Sequence, residues 1–404
     1  MISNIPIYIT PILERLASAG YEAYLVGGCV RDHAMGRIPN DYDVTTNATP
    51  DDMLRIFSDY RVIETGLKHG TLTVISEGEQ VEITTYRIDG EYADNRHPTE
   101  VSFTDDITLD LSRRDFTVNA MAYSPTLGLC DPFDGMGDLE RRIISCVGVP
   151  EERFREDGLR ILRAVRFAAV LSFDISDATA DAVHDLAPLL DGISKERIFT
   201  ELSKLVCGVG ASRIFRDFSD VLSRCVSGVS ADTFKKCAGL MEKLPHDHVA
   251  RLAFLFYMED PENAEEVTAT AMASLKSSTA ESRRARALVR ECAHPLPETD
   301  AEIRRLMSRM PETDIPVCAS LYAAATGADG EGFLERYSRV AETDPCVRIK
   351  DLALNGRDVM TLTSRRGEAV GEALVKLLDL VMEGVLENTR ESLTFALTSD
   401  EFSL

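Results

Sequence analysis

A chain of 404 residues, 44% hydrophobic and 27% charged, is longer than one hydrophobic core supports, which excludes a disordered or fibrous protein and predicts two to four globular domains. Its formal charge of −23, from 44 basic and 67 acidic residues, opposes long-range attraction to a polyanion, so any nucleic-acid contact must come from local arginine clusters. Nine scattered cysteines without a CxxC pair exclude a disulfide framework or zinc ribbon and predict a reducing cytoplasm, and no leader or membrane span is expected.

The first 150 residues alternate helix and strand patterns. IYITPILERLASAG reads as a helix stopped at Gly20, and EAYLVGG as a buried strand closed by glycine. NATPDDMLRIF predicts a helix capped by Thr49 with Pro50 in its first turn. DYDVTT and QVEITTY alternate with period two, and TLTVIS lies between them. RIDGEYADNRHP, residues 87–98, combines Gly, Pro and charge between strand candidates and is predicted to be a mobile loop. From about residue 151 strand signals fade and helical periodicity takes over, broken near CVGVPEE, VSGVS, HPLPETD and GADGEG. The expected class is α+β: a mixed α/β head over 1–150, then an elongated all-helical neck (151–225), body (226–310) and tail (311–404).

In NDYDVTT, strand alternation projects Asp41 and Asp43 to one face, with Tyr42 and Val44 on the other. The same alternation in QVEITTY buries Val81 and Ile83 and frees Glu82 as a third carboxylate. Three acids on one face repel, and the usual remedy is a divalent cation with oxygen ligands; Mg²⁺ held this way suits nucleotidyl transfer. Upstream, the Gly27-Gly28 turn leads into CVRDHAMG, where bare backbone N–H groups and Arg31 can meet a triphosphate. A lone DxD or GG is more often a turn or exposed acid pair; together at this spacing they favour the functional use.

LVGGCVRD and NDYDVTT resemble the active-site signature of the class II tRNA nucleotidyltransferases, the CCA-adding enzymes and their bacterial poly(A) polymerase relatives. The resemblance continues through ETGLKHGTLTV, VEITTYRIDGEYADNRHP, DLSRRDFTVNAMAY, DPFDGMGDLERR and FREDGLRILRAVRF, and returns in LALNGRDVM and LENTRESL. It implies that Asp41 and Asp43 bind Mg²⁺ with Glu82 as the accompanying catalytic carboxylate, and that Gly27, Gly28 and Arg31 meet the nucleotide. Arg114 and Asp115 would contact triphosphate and ribose, supported by Arg113 and Asn119. The loop over 87–98 would help the pocket pass from CTP to ATP.

In EDGLR the resemblance makes Asp157 and Arg160 the readers of the incoming base. Asp accepts from the amino group of cytosine or adenine while Arg donates to ring nitrogen or carbonyl, and two residues three apart on a helix share a face; an i,i+3 ion pair is the alternative use. Arg163 reaches toward the nucleotide, whereas helical winding carries Arg166 around the helix, to RNA phosphate or to Glu156 or Glu201. Segment 282–290, SRRARALVR, is either a solvated helix face or an RNA-backbone contact. His246, Asp247 and His248 could suggest a metal-dependent phosphohydrolase, but the following helix offers no further His, so Asp247 is expected to cap a helix.

The resemblance thus implies an enzyme that adds CCA to tRNA from CTP and ATP, without a covalent intermediate. The alternatives are a CC-only or A-only adder, a poly(A) polymerase, and a non-catalytic RNA-binding protein with a decayed head; the last predicts a lost carboxylate, and all three are present.

Overall fold

Thr49 and Pro50 begin a helix as their chemistry requires: the Thr49 hydroxyl accepts from the Asp52 N–H, Asp52 returns a bond to the Thr49 N–H, and proline occupies the first turn, which needs no donor. In the computed structural model, which describes residues 5–90, 101–343 and 345–399, the chain divides into two compact units, Met1–Ser227 and Gly228–Leu404.

The first unit carries a seven-stranded sheet built from β1 (Ala23–Val26), β2 (Asp43–Thr46), β3 (Arg61–Ile63), β4 (Thr71–Ser76) and β5 (Glu79–Thr85). A separate ribbon pairs β6 (Arg87–Asp89) with β7 (Val101–Phe103), and β8 (Ala122–Ser124) and β9 (Gly128–Cys130) complete the sheet in the order β3-β4-β5-β2-β1-β8-β9. Within it only β2 and β5 pair in parallel, because α3 (Pro50–Ile56), β3 and β4 intervene and return the chain in the same direction. That register sets Asp43 beside Glu82 and Val44 beside Ile83. All four residues of β1 are buried, as expected for an inner strand, and Tyr24, Val26, Tyr86 and Leu111 share one apolar cluster. The opening helix, α1, is Thr10–Ser18, with Gly20 beyond it at φ 90°, and α2 is Gly28–Ala34.

Of the stretch predicted to be a mobile loop, residues 87–89 form β6 and residues 91–98 lie outside the described residues. After α4 (Ile107–Ser112) and α5 (Gly135–Arg141), a two-residue strand, β10 (Ile143–Ile144), pairs in parallel with β11 (Asp174–Ile175). The fading of strand signals past 151 therefore missed one bridge, too short to show a period. Between them run α6 (Pro150–Glu156) and α7 (Leu159–Leu171), followed by α8 (Asp177–Asp185) and α9 (Lys195–Val206). The buried Ile161, Leu162, Val165 and Ala168 make α7 the spine on which α9 packs.

Among its described residues the second unit has helices and no strand. Its helix His248–Glu259 is buried at every position from Val249 to Phe256 and packs against Ala264–Ser274 and Thr279–Cys292. Asp247 caps it, accepting from the Val249 and Ala250 N–H groups at 2.9 and 3.1 Å. A second apolar cluster, around Leu354, Val359, Leu377 and Leu393, gathers the last helices. Among the described residues no helix is long and apolar enough to cross a membrane.

Candidate active site

Asp43 opens β2, and exposure alternates as the sequence predicts: Asp41 and Asp43 open, Tyr42 buried between them. Asp41 itself precedes the strand, where Tyr42 is anchored by a 2.9 Å hydrogen bond between its hydroxyl and His33 Nε2. Glu82, beside Asp43 across the parallel pair, is also exposed. The Asp43 carboxyl touches solvent but is flanked by protein on most sides. Lost solvation first, then the charges of Asp41 and Glu82, push its pKa up to about 6 against the pull of Arg114. Hard oxygen donors crowded until they repel are the donor set a divalent cation requires, so these residues fit such an ion. Among the described residues no three acidic, His or Cys side chains close around one point; the fold sets strand register and facing, not a finished cage.

Gly27 precedes α2 with φ 75° and ψ −129°, a conformation that side-chain-bearing residues rarely adopt. A Cβ there would also meet Arg114 Nη1 at 3.2 Å, so the guanidinium lies directly against the turn. Arg31, on α2, donates from Nη1 to Asn119 Oδ1 at 2.7 Å and from Nε to Asp32 at 2.9 Å. Asn119 donates in turn to Asp115 Oδ1 at 3.3 Å. Asp115 Oδ2 accepts from Arg163 Nε at 2.7 Å, linking RRD to α7. Burial opposes ionisation of Asp115, yet the charge and hydrogen bond of Arg163, with help from Arg160 and Asn119, hold its carboxyl below the usual range. Arg113 and Arg114 both pair with Asp110, and Arg114 Nε is buried with no hydrogen-bond partner among the described residues.

At EDGLR the structure departs from the expectation of one helix face. Asp157 ends α6 in extended conformation and Gly158 precedes α7, so Asp157 and Arg160 straddle a break. Gly158 packs so closely that a Cβ would lie 3.2 Å from Leu189, so the position has little room for a side chain. Asp157 Oδ1 accepts from the Leu159 N–H at 3.0 Å and from Arg197 Nη1 at 3.2 Å, and Oδ2 from Arg197 Nη2 at 2.6 Å. Arg160 pairs with Glu156 and donates from Nη2 to the Arg113 carbonyl at 3.0 Å. Arg166 is buried and donates from Nε to Glu201 Oε2 at 2.7 Å, one of the two uses its winding position suggests.

The structure thus gathers Gly27, Arg31, Arg113, Arg114, Asp115, Asn119, Arg160 and Arg163 into one bonded neighbourhood, with Asp43 and its flanking acids beside Arg114. Sequence reasoning missed Asp110, Arg197, Glu201 as a shared partner of Arg163 and Arg166, and Phe167. The Phe167 ring lies 5.3 Å from the Arg31 and Arg163 guanidiniums and 3.5 Å from that of Arg166. Asp110 left a signal in its i,i+3 and i,i+4 spacing to Arg113 and Arg114, and Phe167 in its i,i+4 spacing to Arg163.

In SRRARALVR, now within the helix Thr279–Cys292, Arg286 and Arg290 pair with Glu265 and Arg284 with Asp247 and Asp314. At least three of its arginines are engaged within their own unit.

Residues 23–145 match the model described as "Poly A polymerase head domain", 172–220 that described as "Probable RNA and SrmB- binding site of polymerase A", and 243–397 that described as "tRNA nucleotidyltransferase domain 2 putative". The CCA-adding enzyme of Lactobacillus delbrueckii subsp. bulgaricus is 34% identical over 95% of each chain, and that of Streptococcus suis 50% identical over 48% of each. The Bacillus stearothermophilus CCA-adding enzyme, solved in complex with CTP, superposes with a TM-score of 0.83 at 31% identity, covering 96% of both chains. At 34% identity over 95% of each chain, the similarity runs the full length, and the chain belongs to the family of the CCA-adding enzymes.

Proposed function

We propose that this enzyme adds C, C and A in turn to the 3′ end of tRNA, using CTP and ATP and releasing pyrophosphate. The observation that carries this reading is the β2–β5 register, which sets Asp43 beside Glu82 with Asp41 on the same open side. Asp41 and Asp43 would hold Mg²⁺, with Glu82 adjacent. A bound Mg²⁺ in such a site lowers the pKa of an attacking hydroxyl and neutralises the leaving pyrophosphate.

Arg31 and Arg114, with the Gly27 and Gly28 backbone, bind the triphosphate, and Asp115 and Asn119 orient the ribose side. Asp157 reads the base. Cytosine and adenine both present an exocyclic amino donor where uracil and guanine present a carbonyl, so a carboxylate acceptor favours the first two and repels the others. Three hydrogen bonds occupy Asp157, leaving Oδ2 a lone pair for that amino group. Arg160 supplies the complementary donors once it turns from Glu156. The helical neck, body and tail hold tRNA by shape and phosphate contacts, since duplex RNA exposes little sequence in its accessible groove. All nine cysteines are free thiols, which suits a reducing cytoplasm.

The test is incorporation on tRNA ending before CCA, with labelled CTP and ATP singly and together, and sequencing of the products. CC from CTP alone and CCA from both is expected. Growth stopping at CC with both present, an A added to tRNA ending in CC but no extension of tRNA ending before CCA, or a long A tract would instead identify a partial adder or a poly(A) polymerase. Asp43→Ala should lower incorporation at least about 10³-fold with tRNA binding retained; full activity in that variant would remove the reading.

A further inference from the structure

Asp110, on α4, has a side chain with 0% exposure, and a carboxylate so placed persists only when its lone pairs are occupied. Its Oδ1 accepts from Arg113 Nε and Nη2 at 3.0 and 2.9 Å and from the Arg87 backbone N–H at 3.3 Å; its Oδ2 accepts from Arg114 Nη2 at 3.4 Å. The other terminal nitrogen of Arg114, Nη1, lies against the Gly27 turn. One guanidinium therefore spans from a buried anchor to the edge of the glycine loop. The Arg113 carbonyl, beside the same anchor, accepts from Arg160.

We propose that Asp110 is a positioning residue for nucleotide binding: it fixes Arg114 against the Gly27 turn, so that the triphosphate of either nucleotide meets a guanidinium already in place. This rests on the reading that Arg114 faces the triphosphate. An unanchored arginine has many rotamers, and ordering it at the moment of binding weakens affinity; an anchored one has lost that freedom during folding. The bonds of Asp110 described above reach the base-reading Arg160 only through the Arg113 backbone, and the triphosphate is common to CTP and ATP, so its removal acts on both nucleotides by the same factor. A carboxylate serving the fold alone changes melting temperature and leaves the Michaelis constants in place.

The test is steady-state incorporation by Asp110→Asn, with thermal melting beside it. KM for CTP and for ATP should each rise about tenfold, by a common factor, with kcat within about threefold of the parent enzyme. In an Arg114→Ala background, which itself raises both KM values, Asp110→Asn should add nothing further. If Arg114→Ala leaves both KM values unchanged, the triphosphate reading of Arg114 fails and this inference with it. If Arg114→Ala raises them but Asp110→Asn leaves them unmoved, shifts one nucleotide alone, or lowers kcat at constant KM, the inference fails while that reading stands. Should Asp110→Asn not fold, Asp110→Glu keeps the charge but displaces it by a methylene. It should show the same common rise in KM, and parental KM values would overturn the proposal.

Discussion

Two arginine-rich stretches look alike in sequence and differ in what surrounds them. Along 153–166, Arg163 and Arg166 point into the buried carboxylates of Asp115 and Glu201, Arg160 into the half-buried Glu156, and Phe167 lies beneath Arg163 and Arg166. Along 282–290, Arg286 and Arg290 meet one Glu265 in the open, and Arg284 is shared by Asp247 and Asp314. Density of positive charge is similar in both, so it does not identify a nucleic-acid or nucleotide site. What separates Arg163 and Arg166 from Arg286 and Arg290 is the desolvation of the partner acid; Arg284, on the buried Asp314, falls with the first pair, and there it is the link from Asp115 through Asn119 to Arg31 that marks the site.

The contrast is sharpest at Arg163. It holds Asp115 and Glu201, 9% and 7% exposed, while retaining 32% exposure of its own. Arg163→Met keeps the bulk over Phe167 and removes the charge, leaving two enclosed carboxylates short of a partner. Breaking a buried pair from one side costs about 3–5 kcal/mol; the partial exposure of Arg163 sets the expectation at the lower end, about 3 kcal/mol, read from urea unfolding. A loss below about 1 kcal/mol would make the neck cluster no different from the exposed one.

The acids of the site carry the same contrast, and pH separates them. Asp115 is held below its ordinary range, so its contribution to stability is present above the unfolded carboxylate pKa and is lost as pH falls through its folded value. Asp43 has the opposite sign. Its pKa, raised from 3.8 to about 6 by lost solvation and by Asp41 and Glu82, gives stability that is present below 3.8 and gone once pH has risen through about 6. Asp43→Asn should therefore leave melting unchanged near pH 4 and raise Tm by about 2 °C at pH 8 without divalent cation. Added Mg²⁺ should shrink that gain. A gain of equal size at both pH values would mean that charge crowding is not its source.

How much of this was legible from residues alone follows from how far each interaction reaches along the chain. The Thr49 cap is a contact across three residues, and β4 occupies TLTVIS to the residue, since its alternation is written in place. The facing of Asp41, Asp43 and Glu82 also survived, because period-two alternation assigns a side without knowing the partner strand. The Asp157–Arg160 geometry did not. Their spacing fits a helix, but Asp157 leaves α6 in extended conformation and caps α7 through the Leu159 N–H, while its carboxylate is held by Arg197. Arg197 meets Asp157 across 40 residues, Glu201 meets Arg166 across 35, and Arg163 meets Asp115 across 48. Pairings at that range depend on how α7 packs against the head and against α9, which the resemblance to a family supplies only as roles and not as contacts.

The smallest expected effect belongs to the exposed cluster, and it bears most directly on what arginine density means. Glu265 has its pKa pulled down to about 2 by hydrogen bonds from Arg290 and then Arg286, which taken alone would suggest a strong interaction. All three side chains are open, at 37% for Glu265, 46% for Arg286 and 56% for Arg290, so water and salt screen them in both the folded and unfolded states. Exposed pairs contribute roughly 0.2–1 kcal/mol, and Arg286→Ala and Arg290→Ala should each cost about 0.5 kcal/mol, diminishing in 1 M salt. If these arginines also served as an RNA-backbone contact, their pairing with Glu265 would compete with phosphate, and Glu265→Gln would tighten tRNA binding by releasing them. The engaged geometry predicts instead that Arg286→Glu leaves tRNA affinity and its salt dependence unchanged. A drop of tenfold or more, with a shallower salt slope, would show that the pairs open to meet RNA and that exposure, not desolvation, marks the arginines that hold it.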